Sequence, residues 1–318
     1  MSTQPTSQPL AARPEAGADV AGPRDPDTPD TRRRRPVHGR PSTLLTILML
    51  VCVVYFLLPL FWLVVASTKS NADLFSTFGL WFSGDFNLVQ NLQDVFTAQG
   101  GVYLSWLRNS IVYAVVSAVG AAILATMAGY AFAKLHFPGS TLLFSVTLGA
   151  IMIPATALSI PTYLLFARVS LVDTPWAVIL PSLVSPFGVF LMRVYAEGAV
   201  DDTLLEAARV DGAGEARIFW QVVLRLLAPG FITVLLFQLV ATWNNFFLPL
   251  IMLNSAELYP LTVGLAQWQA TSQAGSGAQA LFSTVITGSL VSIIPLVVAF
   301  LFLQRYWQSG LTTGGVKQ

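Results

Sequence analysis

The chain has 318 residues, of which 54% are hydrophobic and only 10% are charged, and its formal net charge is +1. Soluble domains carry about 25% charged residues, so this composition excludes an ordinary soluble protein and indicates contact with lipid. The near-zero net charge gives no indication of a bulk positive field for nucleic acid, and the single cysteine, Cys52, excludes an internal disulfide.

Residues 1–41 are rich in Pro, Ala, Asp, Thr and Arg and hold almost no large apolar side chains. Such a segment cannot bury enough surface to offset its ordering entropy, so we predict a disordered cytoplasmic tail. The tail contains an arginine cluster at residues 32–35, and the apolar run that follows is too long for a signal peptide. We therefore predict a retained membrane anchor.

The remaining residues, 42–318, form the predicted transmembrane domain, with six apolar stretches that each approach the roughly 20 residues a bilayer span needs. None of the stretches has a charge near its centre. We predict spans at about 44–66, 108–133, 142–167, 176–194, 229–252 and 281–303. Prolines interrupt the fourth stretch, and further prolines predict kinks in other spans.

Basic residues orient the predicted spans, because Lys and Arg are concentrated on the cytoplasmic side of membrane proteins. With the N-terminus in the cytoplasm, only Lys69, Arg108 and Arg168 of the 17 basic residues fall outside. We therefore predict a multi-pass protein of the plasma or inner membrane with both termini in the cytoplasm.

Two features of the predicted external side have ordinary structural interpretations. Tryptophans near the predicted helix ends, among them Trp106 and Trp268, are typical of an aromatic belt at the membrane–water interface. The predicted external loop at 253–280 contains Gly264 and a run of small residues at 274–278. This composition favours a flexible connector.

The long predicted cytoplasmic loop, residues 195–228, is charged and amphipathic. Thr203 and Glu206 have the spacing of a capping box, which predicts a helix from about Thr203. Gly212 suits the left-handed conformation that ends a helix. Apolar residues at helical spacing predict a second, amphipathic helix from about Glu215.

The sequence of this loop resembles a known family. Glu206-Ala207-Ala208, with Gly212 four residues further on, resembles the EAA motif of ABC importer permeases. The surrounding string, EAARVDGAGEARIFWQVVLRLLAP, is similar to that of the maltose-type carbohydrate importers. The similarity runs from about residue 42 to the C-terminus. Arg225 stands where proline is common in the family motif, which predicts a straighter second helix.

The resemblance implies an all-α membrane protein with the type I ABC importer permease fold and a cytoplasmic coupling helix. It implies four kinds of partner: the lipid bilayer, a homologous second permease, two ATP-binding subunits and an extracellular solute-binding protein. As an alternative to a flexible connector, the resemblance implies that the external loop at 253–280 faces the solute-binding protein and can reach into it. It also implies a sugar as the transported solute. In the family the motif docks into a cleft on the ATP-binding subunit, and the residues that the resemblance places there are Glu206, Ala207, Ala208, Asp211 and Gly212.

The residue types of the motif are compatible with docking. Small side chains at Ala207 and Ala208 let a helix backbone approach a partner closely, and the Glu206 carboxylate can pair with an arginine across an interface. The capping box offers Glu206 a purely local role as well.

Three polar side chains, Gln238, Asn244 and Asn245, lie within the predicted fifth span. Polar groups inside membrane helices either bond neighbouring helices together or line a substrate pathway. Both interpretations remain open for these three residues, which are our candidates for the translocation pathway.

Several motifs are absent from the sequence. There is no Gly-x-x-x-x-Gly-Lys-Ser/Thr phosphate loop, so we expect the chain neither to bind nor to hydrolyse ATP itself. We expect no cofactor and no metal, because no histidine or cysteine cluster occurs.

The sequence also bears on competing functions. Intramembrane acids and bases are nearly missing, which weakens the hypothesis of a secondary transporter without an ATPase. A membrane-embedded enzyme or scaffold should carry a reactive cluster at a membrane face, and the sequence contains none. An ABC permease for a non-sugar solute stays open, because no single residue of the sequence identifies the solute.

Overall fold

The computed structural model describes residues 43–273 and 281–313, with side chains as far as Gln304. The predicted tail at 1–41 and the small-residue run at 274–278 lie outside the described residues. The chain divides into two units, Met1–Val51 and Cys52–Gln318. The described part of the first unit is helical from Thr43.

Within the described ranges the chain is helical and forms no strand, as the predicted all-α fold requires. The fifteen α-helices of these ranges are α1 Thr43–Ser67, α2 Asn71–Ser76, α3 Leu88–Thr97, α4 Val102–Lys134, α5 Ser140–Ile151, α6 Ala155–Arg168, α7 Trp176–Ser182, α8 Pro186–Ala199, α9 Asp202–Val210, α10 Glu215–Ile218, α11 Leu224–Leu226, α12 Ala228–Trp243, α13 Phe247–Met252, α14 Leu261–Gln273 and α15 Phe282–Thr313. A π-helical turn joins α10 to α11.

Four helical segments of the described residues are long and apolar enough to cross a membrane. They are Thr43–Ser67, Val102–Lys134, Trp176–Ala199 and Phe282–Gln304. The number rises to six if two bent pairs each count as one span: α5 with α6, bent by 107°, and Glu215–Leu226 with α12, bent by 80°.

The predicted third and fifth segments are not the continuous helices that hydropathy suggests. The third is broken between Ile151 and Ala155, where Pro154 caps α6. Proline lacks an N–H and disfavours helical geometry in the residue before it, so the helix cannot continue through this point. The fifth is broken between Trp243 and Phe247, and there the Asn244 amide donates to the Val240 carbonyl oxygen at 2.9 Å. Such a bond competes with regular helix propagation.

The helices α4, α8 and α12 pack closely because glycines allow their backbones to approach. A Cβ added at Gly129 of α4 would lie 2.6 Å from the Met192 Cβ and 2.7 Å from the Arg193 nitrogen of α8. A Cβ at Gly188 would lie 2.9 Å from Val234 of α12. Small residues at membrane helix contacts permit this packing, so the three helices form one tight unit.

A ladder of hydrogen bonds joins the start of α4 to the segment before α14. The Trp106 indole donates to the Ala256 carbonyl oxygen at 2.8 Å, and the Asn109 amide donates to the Glu257 carbonyl oxygen at 2.6 Å. Ser110 Oγ accepts from a backbone N–H at the start of α14. The described part of the predicted external loop is therefore tied down and largely helical, and the interpretation as a flexible connector is wrong for it.

The tryptophans of this region are also placed differently from the prediction. Trp106 and Trp268 are 2% and 1% exposed and pack on each other with ring centroids 4.8 Å apart. A Cβ at Gly264 would lie 2.2 Å from the Trp106 ring, so this glycine makes room for the indole. An aromatic belt must face lipid, so the belt interpretation is wrong for these two residues.

The Asp173 carboxylate holds the segment at Asn254 and Ser255 in place. Asp173 has a left-handed φ of 59°, and its carboxylate accepts from the Ser255 hydroxyl at 2.6 Å and from the backbone N–H groups of Ser255 and Asn254. The Ser255 hydroxyl, followed by these two amides, lowers the pKa of Asp173. Hydrogen bonds to the charged form favour it, so this contact is strongest with the carboxylate ionised.

Candidate functional site

The helix that carries the motif begins one residue earlier than predicted. Asp201 is its N-cap: the Asp201 Oδ1 atom accepts from the Thr203 backbone N–H at 3.0 Å and from the Thr203 hydroxyl at 2.9 Å. These bonds, the backbone one first, lower the pKa of Asp201. The predicted capping box of Thr203 and Glu206 is therefore wrong. Glu206 takes no part in the cap, and its side chain is exposed.

The end of α9 is a Schellman turn built on Gly212. Gly212 has a φ of +79°, which confirms the predicted left-handed position. The Ala213 N–H donates to the Ala208 carbonyl oxygen and the Gly212 N–H donates to the Arg209 carbonyl oxygen, both at 3.0 Å. This pair of bonds defines the motif and satisfies carbonyl groups that a helix end leaves open.

The second helix starts at Glu215, as predicted, but it is not a regular α-helix throughout. A π-helical turn occupies Phe219–Val223, and the helix resumes through Arg225 to Leu226. The sharp bend of 80° comes after this segment, where α12 begins. The π-turn places an additional residue in one helical turn.

The inner face of α9 is fixed to the core. Leu205 is buried in a hydrophobic cluster with Tyr130 of α4 and with Ile218 and Phe219 of the second helix. At the start of α9, Lys134 Nζ lies 2.9 Å from an Asp202 carboxylate oxygen. The position of α9 is therefore linked to the end of α4, mainly through apolar burial.

The outer face of α9 is open. Glu206, Ala207, Asp211 and Gly212 are exposed, and the Val210 side chain between them is 87% exposed. Ala208 is half-buried and packs toward the core. The structure thus brings four of the five predicted coupling residues together on one exposed surface, with the fifth beneath it. We call this surface the α9 tip.

A second candidate site is an open cavity of about 1000 Å³. It lies where three helix breaks meet: between α5 and α6, between α7 and α8, and between α12 and α13. Broken membrane helices expose backbone polar groups, which are tolerated where they line a cavity. All three predicted pathway residues, Gln238, Asn244 and Asn245, line it.

The three polar residues differ in their contacts. The Gln238 amide donates to the Ser182 carbonyl oxygen at 2.8 Å, across to α7, so Gln238 does bond two helices together. The Asn244 side chain is exposed to the cavity, and Asn245 is half-buried. Of the two interpretations offered by the sequence, helix bonding describes Gln238, whereas the two asparagines line the cavity and their side chains make no hydrogen bond to another helix in the described residues.

The sequence did not single out the opposite wall of this cavity. Thr156, Ser159 and Thr162 recur every three residues along α6 and line the cavity. Hydroxyl groups at this spacing share one helix face, which is the signal that could have identified them. No Asp, Glu, Lys, Arg or His occurs among the cavity-lining residues, all of which lie within the described ranges.

Residues 118–312 match the family described as binding-protein-dependent transport system inner membrane component. The chain belongs to this family. It is therefore a membrane permease of a binding-protein-dependent importer, and the resemblance noted in the sequence is confirmed.

Relatives of known function and a solved structure agree with this assignment. The chain is 35% identical over 277 residues to the arabinooligosaccharides transport system permease protein AraQ of Halalkalibacterium halodurans, covering 87% of this chain and 96% of the relative. It is 28% identical over 269 residues to the sn-glycerol-3-phosphate transport system permease protein UgpE of Yersinia pestis, covering 83% and 94%.

The fold matches a chain in the crystal structure of a bacterial ABC transporter involved in the import of the acidic polysaccharide alginate. The TM-score is 0.73 at 23% identity, and the match covers 83% of this chain and 95% of that one. The predicted ABC importer permease fold is confirmed.

Proposed function

We propose that this permease carries an uncharged sugar through the membrane and that the α9 tip couples it to a separate ATP-binding subunit. In this proposal the remaining partners are a second permease, a second ATP-binding subunit and an extracellular solute-binding protein, and the α9 tip faces the cytoplasm. The single observation that carries the coupling role is that the motif is exposed on the outer face of α9 while the inner face of α9 is packed against the core.

The α9 tip has the properties of a mechanical contact. Leu205 and the Lys134–Asp202 pair fix its inner face to α4 and to the second helix, so α9 follows these elements when they move. Its outer face presents the Glu206 carboxylate beside small and apolar side chains. A carboxylate that loses water on docking forms strong, geometrically specific bonds with an arginine.

Substitution of Glu206 tests the coupling role in the assembled importer. We expect Glu206→Ala to weaken docking by about 2–5 kcal/mol, because truncating one partner of a buried charge pair leaves the other unpaired. Uptake and solute-stimulated ATP hydrolysis should fall together. Glu197→Ala is the matched control, since Glu197 is an exposed acid on α8 that pairs with Arg193 four residues away. Equal activity of the two variants would contradict the proposal.

The lining of the cavity supports the choice of solute. Its polar groups are amides and hydroxyls, and its aromatic side chains include Phe166, Phe187 and Phe246. Such groups can bond to sugar hydroxyls and pack on sugar rings, whereas an anionic solute would be left without a balancing charge. The substrate named for the AraQ relative is compatible with this lining.

The solute proposal can be tested by uptake into proteoliposomes with Asn244→Leu. We expect slower sugar uptake while ATP hydrolysis by the complex continues. Thr233→Val is the control, because Thr233 lies on α12, the helix that Asn244 caps, and is outside the cavity, where its hydroxyl donates to the Pro229 carbonyl oxygen. Preferential uptake of glycerol phosphate over neutral oligosaccharides would overturn the choice of an uncharged solute and leave the coupling role intact.

A further inference from the structure

A run of exposed aromatic side chains extends from the end of α2 toward α3, in residues 75–86, which we call the aromatic loop. Phe75 and Phe78 are each 72% exposed, Trp81 and Phe86 are each 65% exposed, and Phe82 is also exposed. Such a concentration of exposed large apolar groups in a connecting segment marks a surface that contacts something other than water.

The aromatic loop is held in place by the end of α1. Lys69 is only 1% exposed, and its ammonium group donates to Thr77 Oγ1 at 2.9 Å and to the Phe78 carbonyl oxygen at 2.7 Å. Beyond the loop, the Asn87 N–H donates to the Thr68 carbonyl oxygen at 2.8 Å. Burying a cation without hydrogen bonds has a substantial energetic cost. The Lys69 ammonium group therefore needs its bonds to the loop, and these bonds hold the loop against the end of α1.

The loop folds back along α1 instead of extending away from it. Gly79 lies against the Trp62 indole, since a Cβ on Gly79 would be 3.8 Å from the indole nitrogen. Trp62 precedes the end of α1 at Ser67 by five residues, which is a rise of roughly 7–8 Å. The polar interface on each side of a bilayer is about 5–8 Å thick. The loop therefore reaches the depth of this interface if α1 spans the membrane.

The exposed surface next to the loop is itself apolar. Phe61, Trp62 and Val64 of α1 are exposed, and α1 is one of the helices long and apolar enough to cross the membrane. The aromatic loop thus continues the exposed apolar surface of a helix that is able to span the membrane. Within residues 75–86 the only charged side chain is Asp85. A docking surface for a water-soluble partner would carry a polar rim with more charge.

From these observations we propose that the aromatic loop lies in the lipid headgroup region at the Ser67 end of α1 and anchors that end of the helix. Phenylalanine and tryptophan rings are favourable in this zone. Because the loop presents no cationic side chain, its contact with lipid depends on apolar insertion and not on anionic headgroups.

Site-directed nitroxide labelling of the assembled importer in lipid nanodiscs tests this proposal. In a Cys52→Ala background, single cysteines replace Phe78, Trp81 and, as a control, the exposed polar Gln90 of α3. Accessibility is measured to molecular oxygen, which partitions into lipid, and to a water-soluble nickel chelate. We expect the oxygen-to-chelate ratio to be several-fold higher at positions 78 and 81 than at 90, in neutral and in anionic lipid alike.

Three outcomes would overturn the proposal. Chelate access at positions 78 and 81 equal to that at 90 would place the loop in water. Protection of both positions from both reagents would show that a protein subunit covers the loop. A high ratio found only in anionic lipid would replace apolar insertion with an electrostatic contact.

Discussion

Substitution of Gly212 tests the α9 tip, because a side chain at this position would disturb the backbone conformation and nothing else. A Cβ at this position would meet no atom within 4 Å, yet φ is +79°. Alanine in the left-handed region costs about 1–2 kcal/mol. An energy of this size shifts the balance between the formed turn and other conformations by a factor of about 5–30. We therefore expect Gly212→Ala to lower sugar uptake per ATP hydrolysed several-fold in proteoliposomes.

Gly198→Ala is the matched control for this experiment. Gly198 is also exposed and would also meet no atom within 4 Å, but it lies in α8 with helical geometry. The same chemical change there stabilises the helix by about 0.5–1 kcal/mol. If Gly212→Ala and Gly198→Ala gave the same ratio of uptake to hydrolysis, the reasoning that links the turn to coupling would be refuted.

Three further predictions concern stability. Gly129→Ala should lower the free energy of unfolding by about 1–3 kcal/mol through overpacking, and thermal unfolding should show no such loss for Gly149→Ala, where a Cβ meets nothing within 4 Å. Asp173→Asn should lower the free energy of unfolding by about 1 kcal/mol at neutral pH. The pKa of Asp173 is lowered in the folded protein. The difference between the two variants is therefore fully present above the ordinary pKa near 4, and it disappears as the pH falls through the lowered value. Lys134→Met should lower the free energy of unfolding by no more than about 1 kcal/mol, because Asp202 is 72% exposed. A larger coupling energy between Lys134 and Asp202, measured in a double-mutant cycle, would contradict this.

The segment from α9 to the start of the second helix could be predicted well from the sequence because its signals are local. The left-handed position of Gly212 and the start of the second helix at Glu215 each depend on a few neighbouring residues. The capping residue was predicted wrongly for the same reason. Asp201 and Thr203 are both good N-caps, and spacing alone does not decide between two candidates that lie two residues apart.

Features that depend on tertiary contacts could not be predicted in this way. Trp106 and Trp268 have the sequence positions of an interfacial belt, yet they are buried against each other. The cavity exists because three helix breaks, distant in sequence, meet in space. Hydropathy reports only that Asn244 and Asn245 are polar residues in an apolar stretch, so it cannot distinguish a bond between helices from a wall of a cavity.

In the Schellman turn of α9, the backbone conformation does not depend on the outward-facing side chains. Its form depends on main-chain hydrogen bonds and on one glycine, while the side chains of Val210 and Asp211 point away from the core and contribute nothing to it. If the α9 tip docks on an ATP-binding subunit as proposed, these outward side chains can change without altering the turn. A change of the preferred ATP-binding subunit would then require only a few surface substitutions.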